Sequence, residues 1–219
     1  MVICNFPFKG FPLFLLRNFS FMRFIFCLPV CCLMVFAGCN NMGGSPGNGN
    51  SDTVRILPKA PKPEASSGLA HEGTTLIMTM INRYYDLKNA LVATKADKAD
   101  SAARQLVVMA GILQRYLQAD TAHGAALSPY LDTIVSEGRA VSAMKDESCE
   151  KQRIFFGHIS SALYGLVKNA GLKNAGIFHE YCPMAFNEKG ATWLSDETDI
   201  KNPYFGKKML ECGEVTDSL

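Results

Sequence analysis

The chain lacks the sequence patterns on which most enzyme sites are built. It has no Gly-rich phosphate loop, no His-Glu-x-x-His and no Gly-x-Ser-x-Gly. Ser160 and Ser161 lie within one turn of His158, but nothing beside them supports a triad. No enzyme is expected, and no residue is given a catalytic role. A basic surplus is missing too. The formal net charge is +2, and removing Lys9, Arg17 and Arg23, which no acidic residue balances before Cys39, takes it to −1. Nucleic acid, which calls for a basic face, is therefore not an expected partner. The apolar stretch at residues 24–38 is uncharged but only 15 residues long. That falls short of the roughly 20 that a membrane-spanning helix needs.

What is there begins with that stretch. A 15-residue apolar run behind Arg23 fits the h-region of a secretory signal peptide. Met22-Arg23 offers an alternative start to Met1. The run ends Phe36-Ala37-Gly38-Cys39. Small residues before a cysteine form a lipobox, so residues 1–38 are read as a lipoprotein signal and Cys39 as the lipidated new N-terminus. Residues 39–68 are rich in Gly, Asn, Ser, Pro and Lys and poor in bulky apolar side chains, which makes them a tether. A flexible segment of this length spans about 30 Å root-mean-square. The expected location is the periplasmic side of a membrane, held by lipid. The lack of Asp directly after Cys39 favours the outer membrane.

The folded part is expected from Leu69, and its first section is helical by period. Leu76, Met80, Tyr84, Leu87 and Leu91 form one stripe. Ala99, Ala103, Leu106, Ala110, Leu113 and Leu117 form a second. Leu131, Ile134, Gly138 and Val141 form a third, and Phe155, Ile159, Ala162, Leu166 and Ala170 a fourth. Ser128-Pro129 reads as a helix start and Gly171 as a helix stop. The expected class is all-α: an up-down four-helix bundle over residues 69–172, with residues 173–219 as a small irregular cap of the same domain. Residues 177–181 and 190–194 read as short strands, leaving room for a β-hairpin. Trp193, the only tryptophan, would form the cap's core with Tyr204 and Phe205.

The cap also carries whatever chemistry the chain has. His179, Cys182 and Met184 lie in one cluster, Met209 and Cys212 in another. Soft sulfur donors favour Cu(I), and thiolate with imidazole also suits Zn. Residues two apart in an extended segment share a side, so Cys182 and Met184 can converge. Met209 and Cys212, three apart, share a face in a helical turn. A second reading uses the same cysteines. In an oxidising compartment Cys182 and Cys212 can form a disulfide, stabilising the cap by about 3–4 kcal/mol in the chain-entropy model. Met184 and Met209 are then core filler and His179 a satisfied histidine. A third makes Cys182, before Pro183, a redox thiol that only Cys212 can resolve.

Four blocks of the cap carry a resemblance. They are Tyr-Cys-Pro-Met-Ala-Phe at 181–186, Gly-Ala-Thr-Trp-Leu-Ser at 190–195, Ile-Lys-Asn-Pro-Tyr-Phe-Gly at 200–206 and Lys-Met-Leu-Glu-Cys-Gly-Glu-Val at 208–215. Upstream, Tyr85-x-x-Leu-x-x-Ala-Leu-Val92 and the segment from Gln152-Arg153 through Phe156, Ser160 and Leu163 to Lys168 fit the same pattern. Together, over residues 72–215, they resemble an uncharacterised periplasmic domain family. Its members are free-standing lipoproteins or C-terminal extensions of copper/silver efflux membrane-fusion adaptors. The resemblance implies a role with copper or related heavy metals and no catalytic activity. It implies Cys182, Met184, Met209 and Cys212 as metal ligands, with His179 next, and a copper/silver efflux complex as partner. The chain has no hairpin, lipoyl-like or barrel segment, so it is not itself the adaptor.

The remaining candidates have structural readings. Cys149 is expected as a free thiol at the start of the fourth helix. His158 is a packing or partner residue, and His71 and His123 are exposed. Met78, Met80, Met109 and Met144 are core. Tyr84-Tyr85 straddles the core boundary, and Arg153 pairs with a carboxylate.

Overall fold

The computed structural model describes residues 64–219. The signal peptide, Cys39 and most of the tether lie outside the described residues. Four consecutive helices come first: α1 (His71–Val92), α2 (Ala96–Leu117), α3 (Thr121–Ala143) and α4 (Glu150–Asn169). They pack side by side, α1 on α2, α2 on α3 and α3 on α4. Their buried faces are the stripes the period marks out. Ala99, Ala103, Leu106, Ala110 and Leu113 of α2 are fully buried, as are Leu131, Ile134 and Val141 of α3. Each large aliphatic side chain removed from water in this way contributes about 1.5–3 kcal/mol. Small residues set how closely the helices approach. A Cβ on Gly138 would meet Val107 Cγ2 at 2.6 Å, so α2 and α3 fit together only with glycine there.

The start of α3 differs from expectation. Ser128 and Pro129 lie inside the helix, and its N-cap is Asp120, whose Oδ1 accepts the His123 backbone N–H at 3.2 Å. A carboxylate cap satisfies an N–H that would otherwise lack a partner, and it also favours the positive helix end. That signal outweighs Ser-Pro. Ser128 Oγ instead donates to Gly124 O at 2.7 Å within the helix. Gly171, in the left-handed region at φ +64°, closes α4 as expected. Ser66 then exchanges backbone hydrogen bonds with Lys173 at 3.1 and 2.8 Å, fastening the residues ahead of α1 to the end of α4.

The cap is more regular than its composition suggests. β1 (Phe178–Cys182), β2 (Ala191–Ser195) and β3 (Glu214–Ser218) form an antiparallel three-stranded sheet in the order β2-β1-β3. The class is thus mostly helical, as expected; the hairpin allowed for at 177–181 and 190–194 forms as β1 and β2, and the unexpected β3 makes it a three-stranded sheet. β3 escapes the sequence because Glu-Val-Thr-Asp-Ser is almost wholly exposed and shows no apolar alternation. Its order comes from backbone pairing with β1, through a register irregularity between His179 and Glu180.

Aromatic rings join the helices to the sheet. Tyr84 stacks on Phe156 at 5.2 Å, and Phe156 meets Tyr204, whose ring edge meets Trp193 at 5.8 Å. Trp193 and Tyr204 are buried and Phe205 is half-buried. Met80 is core. Met78 and Met109 are partly buried against the core, whereas Met144, just after α3, is half-buried and not part of it. Among the described residues, no helix is long and apolar enough to cross a membrane.

Candidate functional site

β1 runs up the middle of the sheet and ends at Cys182. Alternate residues of a strand face opposite sides. Glu180 and Cys182 accordingly turn inward and are fully buried, while His179 and Tyr181 take the other face and are half-buried. The antiparallel register pairs Tyr181 with Glu214, so Cys182 stands next to the segment that delivers Cys212. The two thiols are neighbours across β1 and the segment before β3. The neighbouring Cys182 thiol, then burial, holds the Cys212 pKa above the usual thiol value, while the Met184 backbone N–H pulls the other way by donating to the Cys212 sulfur. Cys182 is buried and Cys212 half-buried, and both are free thiols.

The two methionines lie beside this pair. Met184 follows β1 in a turn, and Met209 ends a short 3-10 turn (Gly206–Lys208). Both line one groove of about 600 Å³, floored by Tyr204 and bordered by Ile154 and Phe186. Neither is core filler: Met184 is 44% exposed and Met209 39%. The Cys212 N–H donates to Met209 O at 3.3 Å, so this pair shares a turn as the spacing predicts. Four of the five candidate donors thus gather at one end of the molecule.

His179 does not join them. Its ring stacks on Tyr164 of α4 at 3.9 Å, and its Nδ1 lies 2.7 Å from Thr216 Oγ1. Thr216 Oγ1 also donates to the His179 carbonyl, so it accepts from Nδ1–H. Burial lowers the His179 pKa. Three residues from Cys182, it falls on the opposite face of β1. Among the described residues, no three His, Cys, Asp or Glu side chains gather in one place.

One buried side chain fixes the loop that carries Met209 and Cys212. Asn202 Oδ1 accepts the backbone N–H groups of Tyr204 and Phe205 at 2.8 and 3.2 Å, and its Nδ2 donates to Cys212 O at 2.7 Å. Its own backbone N–H donates to Leu210 O at 2.8 Å. The other side of the groove is strained. Phe186, Asn187 and Glu188 lie in succession in the left-handed region, at φ of 53°, 58° and 65°. A non-glycine residue there costs about 1–2 kcal/mol. The Phe186 ring holds the turn by packing edge-on against Tyr204 at 5.2 Å, above Gly157, where a Cβ would crowd it at 3.2 Å.

Arg153 is buried but has no carboxylate partner, contrary to expectation. Its Nε donates to Pro203 O, its Nη1 to Ser148 O, and its Nη2 to Leu91 O and Thr94 Oγ1, at 2.7–3.0 Å. The guanidinium gathers chain ends from α1, the α3–α4 turn and the cap. Carbonyls and one hydroxyl do the work a carboxylate would do. Cys149 is a buried free thiol just before α4, as expected, and burial raises its pKa. His158 faces solvent with Nδ1 3.1 Å from Glu137 Oε2. His71 opens α1 at the surface. His123 is half-buried, not exposed as expected, because its ring binds the Asp120 carboxylate in the first turn of α3.

Beneath the sheet lies a polar cluster that sequence reasoning missed. Lys88 is only 1% exposed, and its Nζ donates to Ser195 Oγ at 3.1 Å and approaches Asp196 Oδ1 at 3.5 Å. Neither carboxylate oxygen of Glu180 has a hydrogen-bond partner, and neither does Trp193 Nε1 or the Tyr85 hydroxyl. Burial pushes the Glu180 carboxyl up to about 7, against the pull of Lys88 and of the nearby Trp193 and Ser195. The signal was present: Lys88 follows Tyr84 by four residues, onto the buried face, and Glu180 shares the parity of Cys182 along β1.

Residues 80–175 match the family described as Protein of unknown function (DUF3347). The matched stretch runs from within α1 to just past α4 and so covers most of the helical part. The matched stretch ends before β1, so Cys182, Met184, Met209 and Cys212 all lie beyond it. No curated protein and no solved structure matches the chain.

Proposed function

We propose that the cap binds a soft heavy-metal ion, Cu(I) first, on a lipoprotein held at the periplasmic side of a membrane through Cys39. The protein then sequesters the metal or hands it to an efflux system. The observation that carries this reading is that two exposed thioethers, Met184 and Met209, line one groove, while the β1–β3 register sets Cys182 and Cys212, their neighbours in sequence, side by side. Two thiols and two thioethers form an all-sulfur donor set, which prefers Cu(I) over ions that take imidazole and carboxylate. With His179 on the far face of β1, a nitrogen-containing zinc set has little to draw on. The resemblance to the extension of copper/silver efflux adaptors points the same way, and in this reading the four helices form an up-down bundle that supports the site.

The test is a competition titration of the full chain with Cu(I), reduced and without oxygen, after its thiols are counted. One equivalent bound tightly, and lost in Cys182→Ser, is the expected result. No binding by the fully reduced chain would sink the metal reading.

A second reading has an observation of its own. Ile154, Met184 and Met209 are all exposed by more than a third and line the groove. Such a patch marks a docking face, which a Cys182–Cys212 disulfide would brace without any metal. In that case Cys212→Ser lowers stability, and added metal changes nothing.

A further inference from the structure

The arrangement of the two thiols suggests more than a ligand pair. Cys212 is half-buried and sits at the mouth of the site, while Cys182 is fully buried behind it at the end of β1. The register of β1 with β3, Tyr181 opposite Glu214, brings the backbone at Cys182 alongside the residues that carry Cys212. The segment that brings Cys212 there is fixed by Asn202 and by the pairing of β3 with β1, so little backbone movement separates the two thiols from a bond. Cys149 takes no part: it is buried at the far end of a turn, ahead of α4.

We propose that Cys182 and Cys212 form a reversible disulfide that switches the metal site off, with Cys212 as the thiol that meets the oxidant and Cys182 as the thiol that resolves it. This rests on the metal reading only for its consequence, not for its chemistry. The oxidant is a disulfide, small or carried by a protein. The Cys212 thiolate attacks one sulfur of that disulfide and forms a mixed disulfide, and the first leaving thiolate departs. Cys182 then loses its proton to solvent, and its thiolate attacks the Cys212 sulfur and expels the second thiolate. Two electrons pass from the protein's two thiols to the external disulfide, and two protons end on the released thiols. Both sulfurs are then spent as thiolate ligands. Met184 and Met209 remain, and two thioethers are weak donors on their own. A reductant reverses the sequence and restores all four sulfurs.

The order of attack follows from burial and is separately testable. With Cys182 replaced, the mixed disulfide at Cys212 has nothing to resolve it and accumulates. With Cys212 replaced, Cys182 is out of reach of a small disulfide and stays a thiol.

The experiment equilibrates the full chain, without metal, against glutathione buffers of graded oxidised-to-reduced ratio. Alkylation and peptide mass mapping then locate each thiol. The expected result is joint loss of the Cys182 and Cys212 thiols in one reversible transition, with Cys149 alkylated after denaturation at every ratio. Cys182→Ser should carry glutathione on residue 212, and Cys212→Ser should carry none on residue 182. Failure of the two thiols to pair at any ratio, or glutathione on Cys182 in Cys212→Ser, overturns the proposal. Cu(I) titration of the oxidised and reduced forms completes it, with at least a hundredfold weaker binding expected after oxidation. Equal binding by both forms overturns the switch. If the pair forms but neither state binds Cu(I), the metal reading fails while the thiol chemistry stands.

Discussion

The Tyr84 hydroxyl on α1 accepts the backbone N–H of Leu194 in β2 at 3.0 Å. Its oxygen also lies 2.8 Å from Ser160 Oγ on α4, within hydrogen-bond distance. One buried hydroxyl therefore joins two helices to the sheet. Tyr84→Phe keeps the ring and its stack on Phe156 but leaves a buried N–H without a partner. That costs about 1–3 kcal/mol. Urea denaturation should show the loss with the slope unchanged. A variant as stable as the parent would mean that water replaces the hydroxyl.

Arg153 makes a second prediction. Arg153→Ala strands three carbonyls and the Thr94 hydroxyl in a largely dry site. The loss should be about 3 kcal/mol or more. Arg153→Lys should recover little of it, because one ammonium lacks the planar fork that reaches Pro203, Ser148 and Leu91 together. A melting temperature for Arg153→Lys close to that of the parent would show that charge, not geometry, is what the site needs.

Both residues show where the sequence is informative. The stripe of Ala99, Ala103, Leu106, Ala110, Leu113 and Leu117 is the buried face of α2, because a 3.6-residue period directly encodes which side meets its neighbours. The donor pairs Cys182–Met184 and Met209–Cys212 were likewise visible as local spacings. That they come together was not visible, because it depends on the β1–β3 pairing of residues far apart in sequence. β3 has no hydrophobic pattern, and backbone hydrogen bonds leave no mark on composition. His179 was misgrouped for a related reason. Proximity along the chain suggested a ligand, while strand parity sends its side chain away. Lys88 and Glu180 carry no comparable mark in the sequence, because charged side chains are seldom fully buried and composition does not single out the exceptions.

Glu180 gives a pH dependence. Its carboxyl rises from an ordinary value of 4.5 to about 7 in the fold, chiefly by burial. Between those values the folded state holds a proton that the unfolded chain has released. Stability therefore falls as pH rises, with full benefit below about 4.5 and none gained back above about 7. Chemical denaturation at a series of pH values should show this decline. In Glu180→Gln the decline should vanish from that window. Persistence of the same slope in Glu180→Gln would assign it to another group.

Met184 and Met209 supply the prediction that separates metal binding from docking without touching a cysteine. Both side chains are well exposed, so Met184→Leu and Met209→Leu remove sulfur while keeping bulk and apolar character. Exposed substitutions of this kind usually shift stability by no more than about 0.5 kcal/mol. A docking face built on apolar area should hardly notice the change, since leucine covers a similar surface. A thioether ligand cannot be replaced by a methyl group. If the groove holds Cu(I), each variant should weaken it by roughly tenfold, which is ~1.4 kcal/mol. The double variant should fall further, with the Cys182 and Cys212 thiol count unchanged. Unaltered Cu(I) affinity in the double variant would leave only the thiols as ligands and remove the groove from the metal site.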